Sequence, residues 1–343
     1  MAIKAKGQRN YYVSYSKGWA IISIMAIHLL DWSNQRLSAG ELYFKELLYP
    51  SVLFFIATAG SVVYLAYAKK DLGAASKKLF RRGAELIGIY FLYNIVKLFI
   101  FNFSVEPFYA GFMAAGKLTI GNVLSLKSFT APLSIILTIG VFLLISPLLL
   151  YLAKNRLAKI VIGLLVAVLF YINYYLPQPA GAVSDFLYAR NNVMFPLLLW
   201  LMPFLMGFYL AMLGLQKHKG KLFLSLAVLT AAAGLAQFKS LAEVNLTGQM
   251  YPLKMFYIFF SFAFMYLLIY LFAILEQARN RLVDYILAAF RLLGDHTLAI
   301  YIYHWIVIDL TLWLFYPRAD YIWYSAPAFL LAYLILKRKK IVV

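Results

Sequence analysis

Residues 17–31 read KGWAIISIMAIHLLD. This first apolar run carries a cation at one end, a carboxylate at the other and a histidine inside. In a helix each residue advances about 100° and 1.5 Å. Lys17 and His28 therefore return to within about 20° of one face, about 16 Å apart along the axis. Asp31, three residues beyond His28, falls on the same stripe. An ionisable group at membrane depth is costly and marks function by default. The alternatives are a His28 that only bonds a neighbouring helix and a Lys17 that snorkels to the interface.

The rest of the chain repeats the apolar pattern. Of its 343 residues, 64% are hydrophobic and 13% are charged, against about 25% charged in a soluble protein. Apolar runs near the roughly 20 residues needed to cross a bilayer recur throughout. The expected fold is an all-α, polytopic integral membrane protein, with a single transmembrane domain over residues 1–343. Ten spans are expected, at about 17–33, 46–68, 83–103, 129–152, 159–176, 192–215, 222–238, 253–275, 296–316 and 321–336. Residues 1–16 read as a cytoplasmic lead-in and 337–343 as a basic cytoplasmic tail. Residues 34–45 read as an external loop, 69–82 as a basic cytoplasmic loop, and 276–295 as an interfacial helix. Pro196 and Pro203 predict a kink in the sixth span.

The net charge of +19 resembles a nucleic-acid signal, but its distribution argues otherwise. Segments assigned to the cytoplasm hold 23 of the 32 Lys and Arg residues, external segments hold eight, and Lys97 lies within a span. That bias, roughly three to one, is the positive-inside pattern. It places both termini in the cytoplasm and makes membrane lipids, not nucleic acid, the expected surroundings. The absence of cysteine excludes disulfides and thiolate chemistry. The N-terminus lacks a small-residue cleavage site, so the first helix is expected to be retained.

A neutral imidazole takes and returns a proton near neutral pH. His28 is thus a candidate general base, with Asp31 placed to orient the ring and stabilise the imidazolium. No G-x-S-x-G element stands out, which favours direct transfer over a covalent serine intermediate. Lys17, Arg81 and Arg82 lie at cytoplasmic helix ends, where cations grip the phosphates of a cytosolic ligand or merely set topology. Glu85 is placed to pair with Arg81 or Arg82. In GDHTLAIYIYHWIVID, residues 294–309, Tyr301 and His304 share a face. They line a central cavity, or His304 bonds a neighbouring helix. No HExxH, paired-carboxylate or EF-hand pattern occurs, so no metal site is expected.

K-G-x-A at 17–20 followed by His28 resembles the R/K-x10-H pattern of the transmembrane acyltransferases of the acyltransferase 3 family. PSVLFFIATAG at 50–60 is similar to the family's helix ending in an FFxxSG-like element. FRRGAELIGIY at 80–90 resembles the Arg-rich start of its third helix, and LGDHTLAIYIYHWIV at 293–307 resembles its late LGxxSLxIYLxH element. RRGAEL and LTIGVFLLISPLLL look equally like the related heparan-α-glucosaminide N-acetyltransferase branch. The motifs occur in family order and cover both ends and much of the middle.

The resemblance implies a multi-pass cell-membrane enzyme that modifies polysaccharides or their precursors. It implies acyl-CoA, with acetyl-CoA foremost, as co-substrate and no permanently bound cofactor. The acyl group would pass to a hydroxyl or amine of a glycan or lipid-linked sugar. His28 would be the catalytic base, and Lys17 with Arg81 and Arg82 would hold the donor. Three positions depart from the family pattern. Lys17 replaces the commoner Arg and gives up bidentate phosphate geometry. Ser14 stands where an Asp commonly precedes the motif, and Glu85 where a further basic residue often follows the Arg pair. The rival readings are a transporter or flippase of glycan precursors, since buried ionisable groups and kinked helices also mark substrate pathways, and a membrane scaffold.

Overall fold

The structure, a computed structural model, describes residues 11–31, 38–100, 133–155, 157–175, 187, 196–214, 221–235, 254–278 and 280–315. The described elements are α1 (Tyr11–Asp31), α2 (Ala39–Leu48), α3 (Pro50–Tyr67), α4 (Leu72–Ile100), α5 (Ser134–Ala153) and α6 (Ala158–Tyr175). They continue with α7 (Leu197–Leu213), α8 (Lys221–Leu235), α9 (Met255–Gln277), α10 (Arg281–Asp295) and α11 (Thr297–Phe315). All are helices.

Among the described residues, four stretches are long and apolar enough to cross a membrane: Tyr11–Leu30, Ala39–Tyr67, Ser134–Ala153 and Met255–Gln277. Arg281–Asp295 and Thr297–Leu310 make a fifth if they act as one span bent by 78°. Ala158–Asn173 and Leu197–Leu213 are apolar but shorter. The chain is a membrane protein, and its described residues form helices and no strand. The expected tenth span and the basic tail lie outside the described residues.

The bundle is built around α3. Leu53, Phe54 and Ile56 are fully buried, and the helix packs against α1, α5, α7 and α9. A helix apolar on all sides needs neighbours on all sides. Glycine lets those neighbours come close. A Cβ on Gly60 would lie 2.0 Å from the Phe204 carbonyl oxygen of α7, and one on Gly207 would lie 1.8 Å from that of Ala57. The Ser61 hydroxyl donates to the Gly207 carbonyl at 2.8 Å across the same crossing. α1 and α10 meet in the same way, with Gly18 against Phe290 and Gly294 against Ser14. Lipid offers no hydrophobic drive between helices, so close backbone contact and interhelical hydrogen bonds hold such pairs.

Two stretches expected as loops are helical. Residues 39–48 start on a capping box. Glu41 N–H donates to the Ser38 hydroxyl, and Ser38 N–H donates to the Glu41 carboxylate at 2.8 Å. The path is interrupted at Tyr49–Pro50, because proline has no N–H to continue the ladder. There the Tyr257 hydroxyl of α9 donates to the Tyr49 carbonyl at 2.6 Å. The basic stretch from residue 72 onward is the beginning of α4. Asp71 accepts from Ala74 N–H at 2.9 Å, and Ala75 and Leu79 are buried while Lys77, Lys78, Arg81 and Arg82 face outward. The charges obscured a helical apolar period. Helix α1 also begins within the expected lead-in, at Tyr11. Pro196 stands at the N-cap of α7, and only Pro203 lies inside the helix.

Candidate active site

α1 and α11 bring together two histidines separated by 276 residues. His28 Nδ1 lies 2.9 Å from His304 Nε2. The rings are inclined by only 4°, with centroids 5.2 Å apart. His304 Nδ1 lies 3.2 Å from the Ile300 carbonyl oxygen, one turn back on its own helix. His304 is 2% exposed, whereas His28 is half-buried.

Aromatic rings enclose this pair. Tyr301, His304 and Trp305 share a face of α11 at i, i+3 and i+4. Tyr301 meets the His304 ring edge-on at 5.1 Å, and Trp305 lies 4.3 Å from the His28 ring. Phe55 of the FFIATAG element packs against Tyr301 at 5.6 Å. Three motifs distant in sequence thus converge. Nδ1 of His28 faces His304, and Nε2 takes no part in that contact.

Tyr301 and His304 sit together at this centre, and His304 bonds the neighbouring helix that carries His28. The backbone of Asp31 continues α1, but its side chain lies outside the described residues. Lys17 is half-buried on the same helix. The surrounding end of α1 is fastened to α9 and α10. Tyr12 donates to Glu276 at 2.7 Å, Ser14 to Asp295 at 2.9 Å, and the Arg291 guanidinium lies 4.1 Å from the Tyr11 ring. Arg81 and Arg82 are exposed on α4, and Glu85 pairs with both, at 2.8 Å and 3.3 Å. α1 packs mainly on α10 and α3, and α4 mainly on α5, so the two sets of cations stand on separate helix pairs.

Sequence reasoning gave no role to Trp305, although its i+4 spacing from Tyr301 places it on the histidine face. It likewise left Lys97 and Asp309 unpaired. They form a buried ion pair, 3.0 Å apart, to which Tyr93 also donates.

The acyltransferase-domain model of the acyltransferase 3 family matches residues 10–336. The chain belongs to the acyltransferase 3 family. Among proteins with curated descriptions, none matches it. As an acyltransferase 3 protein it is a membrane acyltransferase by class, and the His28–His304 pair, the aromatic wall and the Arg81–Arg82 pair all fall within the matched span.

Proposed function

We propose that this acyltransferase moves an acyl group, an acetyl group foremost, from cytosolic acyl-CoA to a hydroxyl or amine of a glycan or lipid-linked sugar. The enzyme is a multi-pass protein of the cell membrane with ten spans and cytoplasmic termini. Acyl-CoA is a co-substrate and no cofactor stays bound. Lys17, Arg81 and Arg82 hold the donor phosphates on the cytoplasmic side, and the pantetheine arm runs along the α1 stripe towards His28. His28 Nε2 takes the proton of the acceptor hydroxyl or amine as that atom attacks the thioester carbonyl. Asp31 assists the imidazolium.

The observation that carries this reading is the placement of His28. Its Nδ1 is held 2.9 Å from a second imidazole, and its ring is walled by Trp305 and Tyr301, which leaves one nitrogen for proton transfer. The separation of Lys17 from His28, about 16 Å along a helix, suits a donor whose phosphates and thioester are joined by a long arm.

The test is transfer of isotope-labelled acyl-CoA to glycan acceptors in sealed vesicles. Covalent label on the acceptor, lost in His28→Ala, is the expected result. Acceptor movement without label would point instead to a transporter or flippase. Full transfer by a folded His28→Ala protein would overturn the mechanism.

A further inference from the structure

The contacts of the histidine pair dictate where its protons sit. A carbonyl oxygen only accepts, so His304 Nδ1, 3.2 Å from the Ile300 oxygen, carries a hydrogen. A neutral imidazole has one N–H, so His304 Nε2 is an acceptor. His28 Nδ1, 2.9 Å away, must then be the donor. The His28 lone pair is left on Nε2, the nitrogen turned away from His304.

We infer that His304 is a positioning residue that holds His28 in the Nδ1–H tautomer and shares the positive charge His28 acquires during transfer. The inference rests on the proposed role of His28 as base. In a serine-protease triad a carboxylate does this work at the corresponding nitrogen of the catalytic histidine. Here the contact is made by an imidazole, which sets the tautomer but adds no negative charge.

The surroundings suit that role. His304 is almost wholly buried, while His28 is half-buried, so the holding partner is shielded and the working ring is reachable. Tyr301 and Trp305 pack against both rings, and Phe55 backs Tyr301. Turning the His28 ring over would break the 2.9 Å contact inside an aromatic enclosure.

The proton balance closes without a further group. The acceptor O–H or N–H proton moves to His28 Nε2 as the oxygen or nitrogen bonds to the thioester carbon. The tetrahedral intermediate collapses, the C–S bond breaks, and the leaving sulfur takes that proton back from His28 Nε2. Between these events His28 is an imidazolium. Its Nδ1–H bond to His304 Nε2 is then charge-assisted and stronger than in the resting pair.

The test pairs His304→Gln, which keeps an acceptor at similar reach, with His304→Phe, which fills the space and lacks one. Full-length protein labelled with 15N-histidine in lipid discs reports the tautomers by solid-state NMR, and His28→Ala identifies the His28 signals among the four histidines. His28 should be protonated at Nδ1 in the wild type and in His304→Gln, and should lose that preference in His304→Phe. In transfer assays His304→Phe should lower kcat on the order of 100-fold with KM for acyl-CoA unchanged, and His304→Gln should recover most of the loss. Should His304→Phe fail to fold, His304→Asn, whose acceptor falls about one bond short, takes its place. An unchanged tautomer in His304→Phe overturns the inference. So does wild-type kcat in His304→Phe beside an inactive His28→Ala, and in that case the base assignment stands. Activity retained in His28→Ala instead removes the base assignment, and the tautomer measurement, which needs no turnover, still decides whether His304 holds His28.

Discussion

The Lys97 ammonium of α4 lies 3.0 Å from the Asp309 carboxylate of α11, and both side chains are at most 5% exposed. α4 and α11 are not otherwise close partners, since α4 packs chiefly on α5. The pair, with the Tyr93 hydroxyl donating to the same carboxylate, therefore ties the α4–α5 unit to the helix that carries His304. Removing one member of a buried ion pair strands the other charge, at a cost of about 3–5 kcal/mol. Lys97→Met and Asp309→Leu should each lower the thermal midpoint of the solubilised protein sharply, and the double variant should recover much of the loss. Single variants that melt with the wild type would show that the pair does not join these helices.

The glycine crossing of α3 and α7 makes a prediction of opposite kind. A Cβ on Gly207 would sit 1.8 Å from the Ala57 carbonyl oxygen, a backbone atom that cannot swing aside. Overpacking costs about 1–3 kcal/mol where side chains can yield, and more where they cannot. Gly207→Val should therefore yield little folded protein. Gly88 is the control, because it is exposed in α4 and a Cβ there meets nothing within 4 Å. Gly88→Ala should be stabilising by about 0.5–1 kcal/mol, the helix-propensity difference. Equal yields and melting curves for the two variants would remove the argument for close backbone contact.

These positions show which features could be read in the sequence. The apolar runs announced a helical membrane protein, because that depends on composition within each segment. The helix over 39–48 is also encoded locally, in the Ser38-x-x-Glu41 capping box, although its polar composition resembles that of a loop. The start of α4 was hidden by its lysines and arginines, although Leu72, Ala75 and Leu79 keep helical spacing. His28 stood out as a polar group in an apolar run. Its bond to His304 did not, because no local pattern says which of many helices lies beside α1. The same holds for Lys97 and Asp309, 212 residues apart.

Helix α10 presents three faces. Leu287 and Gly294 are buried, and Phe290 packs against Trp19. Asp284 and Asp295 lie on a polar side. Leu282, Tyr285 and Ile286 form a separate apolar stripe that is exposed, Tyr285 by 75%. A helix so divided should lie in the membrane interface with that stripe in lipid. The chain has no cysteine, so single cysteines can be spin-labelled cleanly. A label at Tyr285→Cys should be accessible to oxygen and shielded from a polar nickel relaxant, and a label at Asp284→Cys should show the reverse. Equal nickel accessibility at the two positions would place the stripe in water.

The cations of α4 separate donor binding from stability. Arg81 and Arg82 are largely exposed, and both reach the Glu85 carboxylate. Exposed pairs contribute little to folding, and an Arg placed N-terminal to its Glu is the weaker order on a helix. Glu85→Gln should therefore leave the melting temperature nearly unchanged. It also releases two guanidiniums from a competing carboxylate. If these grip the donor phosphates, as proposed, Glu85→Gln should lower KM for acyl-CoA. Replacing both arginines by alanine should raise KM on the order of tenfold through loss of charge-assisted bonds, with kcat held because the proposed proton transfer is carried by His28 on another helix. The KM effect should shrink at high salt, since exposed charges are screened. An unchanged KM in the double arginine variant would assign this pair to membrane topology alone and leave Lys17 as the cation to examine at the donor site.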